Sequence, residues 1–170
     1  MNIVAFDPGT SGAWAWGYGP RLTPFVDDLP VAGVRASKQI NAPLLAEELR
    51  ALISMHGMPV VAIIEDVHVM PKQGIASSGK FMQAKGTLVG ICAGLKIPLA
   101  FVSPAVWKRQ MGLSSDKEMC RLRAIERWPG LALRLKRKGD HDRAEAALIT
   151  EWWYRFRAET SAKKNLLETL

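Results

Sequence analysis

Apolar residues run unbroken from Ile3 to Phe6 and stop on Asp7, after which Pro8-Gly9-Thr10-Ser11-Gly12 destroys the pattern. Such a run is a buried strand handing one carboxylate to a tight turn. Ala13 to Tyr18 resumes after the turn, and Arg21 to Asp27 fits a third strand. The short gaps favour an antiparallel meander. Ala32 to Asn41 is polar and reads as loop, with Asn41 as a helix cap. Leu44, Leu45, Leu49, Leu52 and Ile53 then recur at helical spacing, which predicts an amphipathic helix from Pro43 to about His56. Pro59 to Asp66 is rich in Val and Ile and ends on Glu65 and Asp66. Its continuous apolar character suits a central parallel strand buried on both faces.

Met70 to Gly79 reads as a Gly/Ser-rich loop, followed by a helix from Lys80 to Lys96. Gly86, Gly90 and Gly94 form one stripe of that helix, each costing roughly 1 kcal/mol relative to alanine. A close backbone contact would justify them, either against the sheet or, in a sharper reading, against the same helix of a second subunit. Leu99 to Ser103 gives a fifth strand, and Pro104 opens a short helix. Ser115-Asp116-Lys117-Glu118 is a capping box for a helix running to Trp128. A basic connector from Leu131 to Gly139 leads to a last long helix from about His141 to Ala158. The expected fold is α/β, with a five-stranded mixed sheet flanked by helices. Residues 1–158 form a single domain and 159–170 a tail.

With 170 residues, 48% of them hydrophobic, the chain can bury one ordinary core. The net charge of +7 changes the picture through its distribution. Residues 1–95 hold seven bases and seven acids, whereas residues 96–170 hold sixteen bases and nine acids. That asymmetry suits a basic face for a polyanion, although a merely solvated surface would also produce it. Cys92 and Cys120 lack ligand-like spacing and read as small buried hydrophobes in a reducing compartment. Asp7 interrupts the first apolar run, so no signal peptide is expected there, and Lys96 cuts the longest later run short of a membrane span. The expectation is a cytoplasmic protein without a membrane partner.

The acids carry the chemistry. Asp142 and Glu145 share one face of the last helix, within its first turn, where acids commonly do no more than complement the helix dipole. That explanation does not cover Asp7 and Glu65, each standing where an apolar strand ends. Hard oxygen donors with few histidines point to Mg²⁺, with Mn²⁺ as a substitute, rather than to zinc.

Asp7-Pro8-Gly9-Thr10, Ile64-Glu65-Asp66-Val67-His68 and Asp142-x-x-Glu145 resemble the acidic motifs of RuvC-type Holliday junction resolvases, of the RNase H-like fold. The resemblance extends through Met70-Pro71-Lys72-Gln73-Gly74, Ser103-Pro104-x-x-Trp107-Lys108 and Arg143 to Ile149. It is closest to the phage and prophage branch and covers roughly residues 2–154. It implies a homodimer that binds four-way junctions and makes paired nicks with Mg²⁺, with Asp7, Glu65, Asp142 and Glu145 as catalytic metal ligands. The familiar bacterial enzymes end on Asp-x-x-Asp, where this chain has Glu145, and they carry an aromatic residue where this chain has His68, Val69 and Met70. Asp140 is a lower-ranked competitor for Asp142, because it precedes the expected helix start.

Lys72, Lys80, Lys108, Lys117, Arg134, Lys136, Arg137, Lys138 and Arg143 are candidates for contact with DNA phosphates. Gly74 to Lys80 is similar to a phosphate-binding loop, but Phe81 stands where that motif needs a hydroxyl for Mg²⁺. Trp152, Trp153, Tyr154 and Phe156 fit core or dimer contacts better than base stacking. His68 and His141 flank acids and could assist proton transfer, though a structural histidine is commoner. Two rivals to the nuclease reading are a non-catalytic branched-DNA-binding protein of this fold and an ATPase-like member of the superfamily.

Overall fold

The computed structural model describes residues 1–9, 11–34, 38–57, 60–66 and 74–157. Its strands are β1 (Asn2–Asp7), β2 (Ala13–Gly17), β3 (Phe25–Asp28), β4 (Val31–Ala32), β5 (Gln39–Ile40), β6 (Val60–Glu65) and β7 (Leu99–Val102). The helices are α1 (Ala42–His56), α2 (Ile75–Gly94), α3 (Pro104–Gln110), α4 (Lys117–Arg127) and α5 (His141–Phe156), with single 3₁₀ turns at Pro129–Leu131 and Lys138–Asp140. Five strands form one sheet in the order β3-β2-β1-β6-β7. β1, β2 and β3 pair antiparallel, while β1–β6 and β6–β7 are parallel. This is the expected mixed sheet of an RNase H-like α/β fold.

Each face of the sheet carries its own core. Successive strand side chains alternate between faces, so Val4, Phe6, Trp14, Trp16, Ala62 and Ile64 pack with α1 and α2. Ile3, Ala5, Ala13, Ala15 and Ile63 pack with α4, α5 and Trp107 of α3. The large side chains of β2 therefore point one way and its alanines the other. On the alanine side α5 contributes Ala144, Ala147 and Leu148, all fully buried, so helix and sheet approach closely. Gly17 measures that approach: a Cβ there would lie 3.1 Å from Thr150 and 3.2 Å from Tyr154. Tyr154 also donates its hydroxyl to the Gly17 carbonyl.

The same alternation aims the acids. Asp7 shares the α5 face with Ile3 and Ala5, and Glu65 shares it with Ile63. Parallel pairing aligns Phe6 with Ile64, so the two acids close neighbouring strands at the same level. Gly12 tightens the turn after Asp7, where a Cβ would sit 2.1 Å from the Asp7 carbonyl oxygen.

Several expectations change. Part of the stretch read as loop forms the hairpin β4–β5. β3 begins at Phe25 rather than Arg21. α2 begins at Ile75, five residues before Lys80, because the Gly/Ser-rich start tolerates a helix once Ala84 and Leu88 are buried. The glycine stripe does not meet the sheet: among the described residues, a Cβ at Gly86, Gly90 or Gly94 would find nothing within 4 Å. Asn41 caps α1 as expected, but Asp116 rather than Ser115 caps α4. The tail at 159–170 lies outside the described residues. No helix among those described is long and apolar enough to cross a membrane.

Candidate metal centre

Asp7 from β1, Glu65 from β6 and Glu145 from the first turns of α5 each offer a carboxylate oxygen, all within 4.8 Å of one another. Glu65 and Glu145 are each only 3% exposed. Three acids brought together out of water resist being charged at once. Burial, then repulsion from Glu65, Asp142 and Glu145, holds the Asp7 carboxyl well above the ordinary range, with Lys117 opposing. Burial raises Glu65 to about 7; the Trp107 hydrogen bond pulls it down, Glu145 pushes it up, and Lys108 and Lys117 pull it down again.

Two lysines relieve part of this crowding. Lys108 Nζ donates to Glu145 Oε1 at 2.7 Å, an ion pair almost wholly buried. Burial alone would lower the Lys108 pKa, but the hydrogen bond and charge of Glu145 win and raise it. Lys117 Nζ lies 3.2 Å from Asp142 Oδ1 and 2.9 Å from His141 Nε2. His141 Nε2 is itself 3.0 Å from Asp142 Oδ1. Asp142 thus stands outside the close group of three, yet near enough for its charge to raise Asp7. Cys120 completes the wall: burial first, then Glu145, pushes its thiol up to about 12.

The remaining basic candidates separate into bound and exposed. Arg143 holds Asp28 through two bonds, at 2.6 and 2.5 Å, and also donates to the Arg134 carbonyl. Arg134 donates to the Val26 carbonyl and lies over the Phe25 ring. Arg137 grips Asp140 through its backbone N–H and its guanidinium. Arg143 and Arg134 clamp the start of α5 and the connector to β3 at the sheet edge, while Arg137 closes the turn before α5 on Asp140, roles that their spacing does not reveal. Asp140 belongs to that turn and is absent from the close acidic group. Lys80, Lys136 and Lys138 are exposed. Lys72 and His68 lie outside the described residues.

Sequence reasoning missed two features of the centre. Lys108 and Lys117, expected on phosphates, contact acids of the centre. Trp107 donates its indole N–H to Glu65 Oε1 at 2.7 Å. The available signal was position: α3 follows directly on β7, the strand beside the one carrying Glu65. Trp152 and Trp153 are buried in the core, as their spacing suggested.

The donor set is all carboxylate oxygen, with no arginine in it, so the excess negative charge of the group suits a metal cation. No protein-family model matches the sequence, and no curated protein is significantly similar to it. Among solved structures, the chain is similar to RuvC of Thermus thermophilus in complex with a Holliday junction substrate. That match has a TM-score of 0.59 and 14% identity, covering 92% of this chain and 97% of the other. A second structure of Thermus thermophilus RuvC matches with a TM-score of 0.50 and 14% identity, covering 93% and 98%. At that identity the likeness is one of fold, and it is the fold that the motif resemblance implied.

Proposed function

We propose that this chain is a metal-dependent, structure-selective DNA endonuclease that resolves four-way junctions by paired symmetric nicks. The observation that carries the reading is the convergence of Asp7, Glu65 and Glu145, from three separate elements, into one buried group. A structural role accounts poorly for it, because clustered buried carboxylates that are only partly compensated destabilise a fold. In this reading Asp7, Glu65 and Glu145 hold Mg²⁺, with Mn²⁺ able to replace it, and Asp142 supplies a fourth carboxylate at the rim. The bound cation would supply an activated water and stabilise charge on the leaving oxygen. The protein's part is to fix the carboxylates on rigid strands and to balance their charge with Lys108 and Lys117. The exposed Lys136 and Lys138, beside the start of α5, would engage backbone phosphates.

A junction has two-fold symmetry, so paired nicks call for two copies of the site. The exposed stripe of α2 offers a face for the second copy: Gly86 and Gly90 are open, and Met82 is 53% exposed. If this is the dimer face, Gly90→Leu yields monomers by light scattering and loses paired nicking while single nicks persist. A dimer unaffected by that change places the interface elsewhere.

The direct test is incubation of the protein with a synthetic four-way junction, with and without Mg²⁺. Symmetric nicks that require the metal are the expected result. Salt-sensitive junction binding with no cutting under any metal condition would instead favour the non-catalytic binder.

A further inference from the structure

Trp107 is completely buried, and its indole N–H reaches Glu65 Oε1 at 2.7 Å. Burial of an indole does not by itself bring a partner in this protein. The indole nitrogens of Trp14, Trp16, Trp128 and Trp153 are buried and make no hydrogen bond within the described residues. Trp107 differs in being aimed at one member of the acidic group. The helix that carries it follows directly on β7, and its far end is tied to α5, where Gln110 Oε1 accepts from Trp152 at 2.6 Å. The next residue, Lys108, grips Glu145. One short turn of helix therefore touches acids from two different elements.

We infer that Trp107 is a positioning residue for the metal centre, fixing the carboxylate plane of Glu65 without neutralising it. This inference rests on the metal-binding part of the function proposed above. An indole N–H can only donate, so the bond fixes one carboxylate oxygen as its acceptor and leaves the other outside that bond. Unlike the lysines, the indole brings no positive charge, so it orients Glu65 while preserving the negative field that attracts a cation. Outer partners of metal-ligating groups are commonly worth about 10–100-fold in metal affinity.

The test uses the full chain with Mn²⁺ as the probe. Trp107→Phe removes the N–H and some volume; replacing Trp107 by β-(3-benzothienyl)alanine removes the N–H and keeps the shape. Both are expected to weaken Mn²⁺ binding by about tenfold or more in calorimetry, with the benzothienyl protein unfolding at the wild-type temperature. In the metal-free protein, Glu65→Gln should move the Trp107 indole N–H resonance. Wild-type Mn²⁺ affinity in the benzothienyl protein, or an indole resonance indifferent to Glu65→Gln, overturns the inference, as does a wild-type protein that binds no Mn²⁺. Should Trp107→Phe fail to fold, the benzothienyl protein decides. Tight Mn²⁺ binding without junction cutting would sink the nuclease reading alone, and the affinity shift would still judge Trp107.

Discussion

Two groups of acids meet near the start of α5, and the protein treats them in opposite ways. Asp28 and Asp140 are each matched to an arginine, Arg143 and Arg137, with several hydrogen bonds per carboxylate. Asp7, Glu65 and Glu145 face one another, eased by direct bonds from one ammonium and one indole and by the charge of Lys117. The pKa shifts follow. Burial works against the Asp140 charge, but the Arg137 hydrogen bonds outweigh it and depress its carboxyl below the ordinary value. Burial and mutual repulsion raise Asp7 and Glu65. Carboxylates a few residues apart thus act as a fastener in one place and, in the function proposed above, as a cation trap in the other. Only the count of partnered charges separates them.

The largest expected effect comes from removing one charge of the trap. Asp7→Asn should abolish junction cleavage while raising the unfolding temperature of the metal-free protein, because a crowded buried charge is gone. Each kcal/mol gained corresponds to about 2–4 °C at this size. Calorimetry beside a cleavage gel checks both, and a stabilised variant that still cuts would break the contrast.

The contrast also sets opposite responses to pH. Glu65 titrates at about 7 when folded, against an ordinary 4.5, so its contribution to stability is complete below the ordinary value and is lost as pH rises through about 7. The effect is on the order of 3 kcal/mol. The metal-free protein should therefore melt higher at pH 5.5 than at pH 8, with Mn²⁺ restoring stability at pH 8 and Glu65→Gln flattening the difference. Asp140, with its depressed pKa, stabilises above the ordinary value of 3.8 and loses that contribution as pH falls below it. In the Asp140→Asn protein the acid limb of the stability curve should flatten.

A smaller effect tests the fastener. Arg143→Ala should cost about 1 kcal/mol, since Asp28 is largely exposed. A double change with Asp28→Ala should cost little more than either alone. If Arg143 instead served DNA, its removal would lower the salt slope of junction binding by about one, and that slope should stay constant. The smallest change is expected for Lys136→Ala or Lys138→Ala. Each should leave melting untouched and reduce the salt slope by about 0.9 per lost phosphate contact.

Much of this was readable before any coordinates. The runs ending on Asp7 and Glu65 required only that buried strands terminate in something polar, and the parity of each run then fixed which face the acid takes. Glu145 followed from its shared face with Asp142 at the start of the last helix and from the motif resemblance. The pairing of Arg143 with Asp28 was hidden because the partners lie 115 positions apart and surface charge carries no period. The stripe of Gly86, Gly90 and Gly94 shows a limit of periodicity: it says which residues share a face, not what that face meets. Asp142 illustrates the same limit. It shares a helix face with Glu145, and its carboxylate meets Lys117 and His141. The hairpin β4–β5 was unreadable because two-residue strands are too short to show alternation.

The most direct measurement is anomalous diffraction from crystals of the full chain soaked in Mn²⁺. A peak bounded by the carboxylates of Asp7, Glu65 and Glu145, and lost in the Asp7→Asn protein, is the predicted result. Full Mn²⁺ occupancy elsewhere with nothing among those three acids would contradict the account.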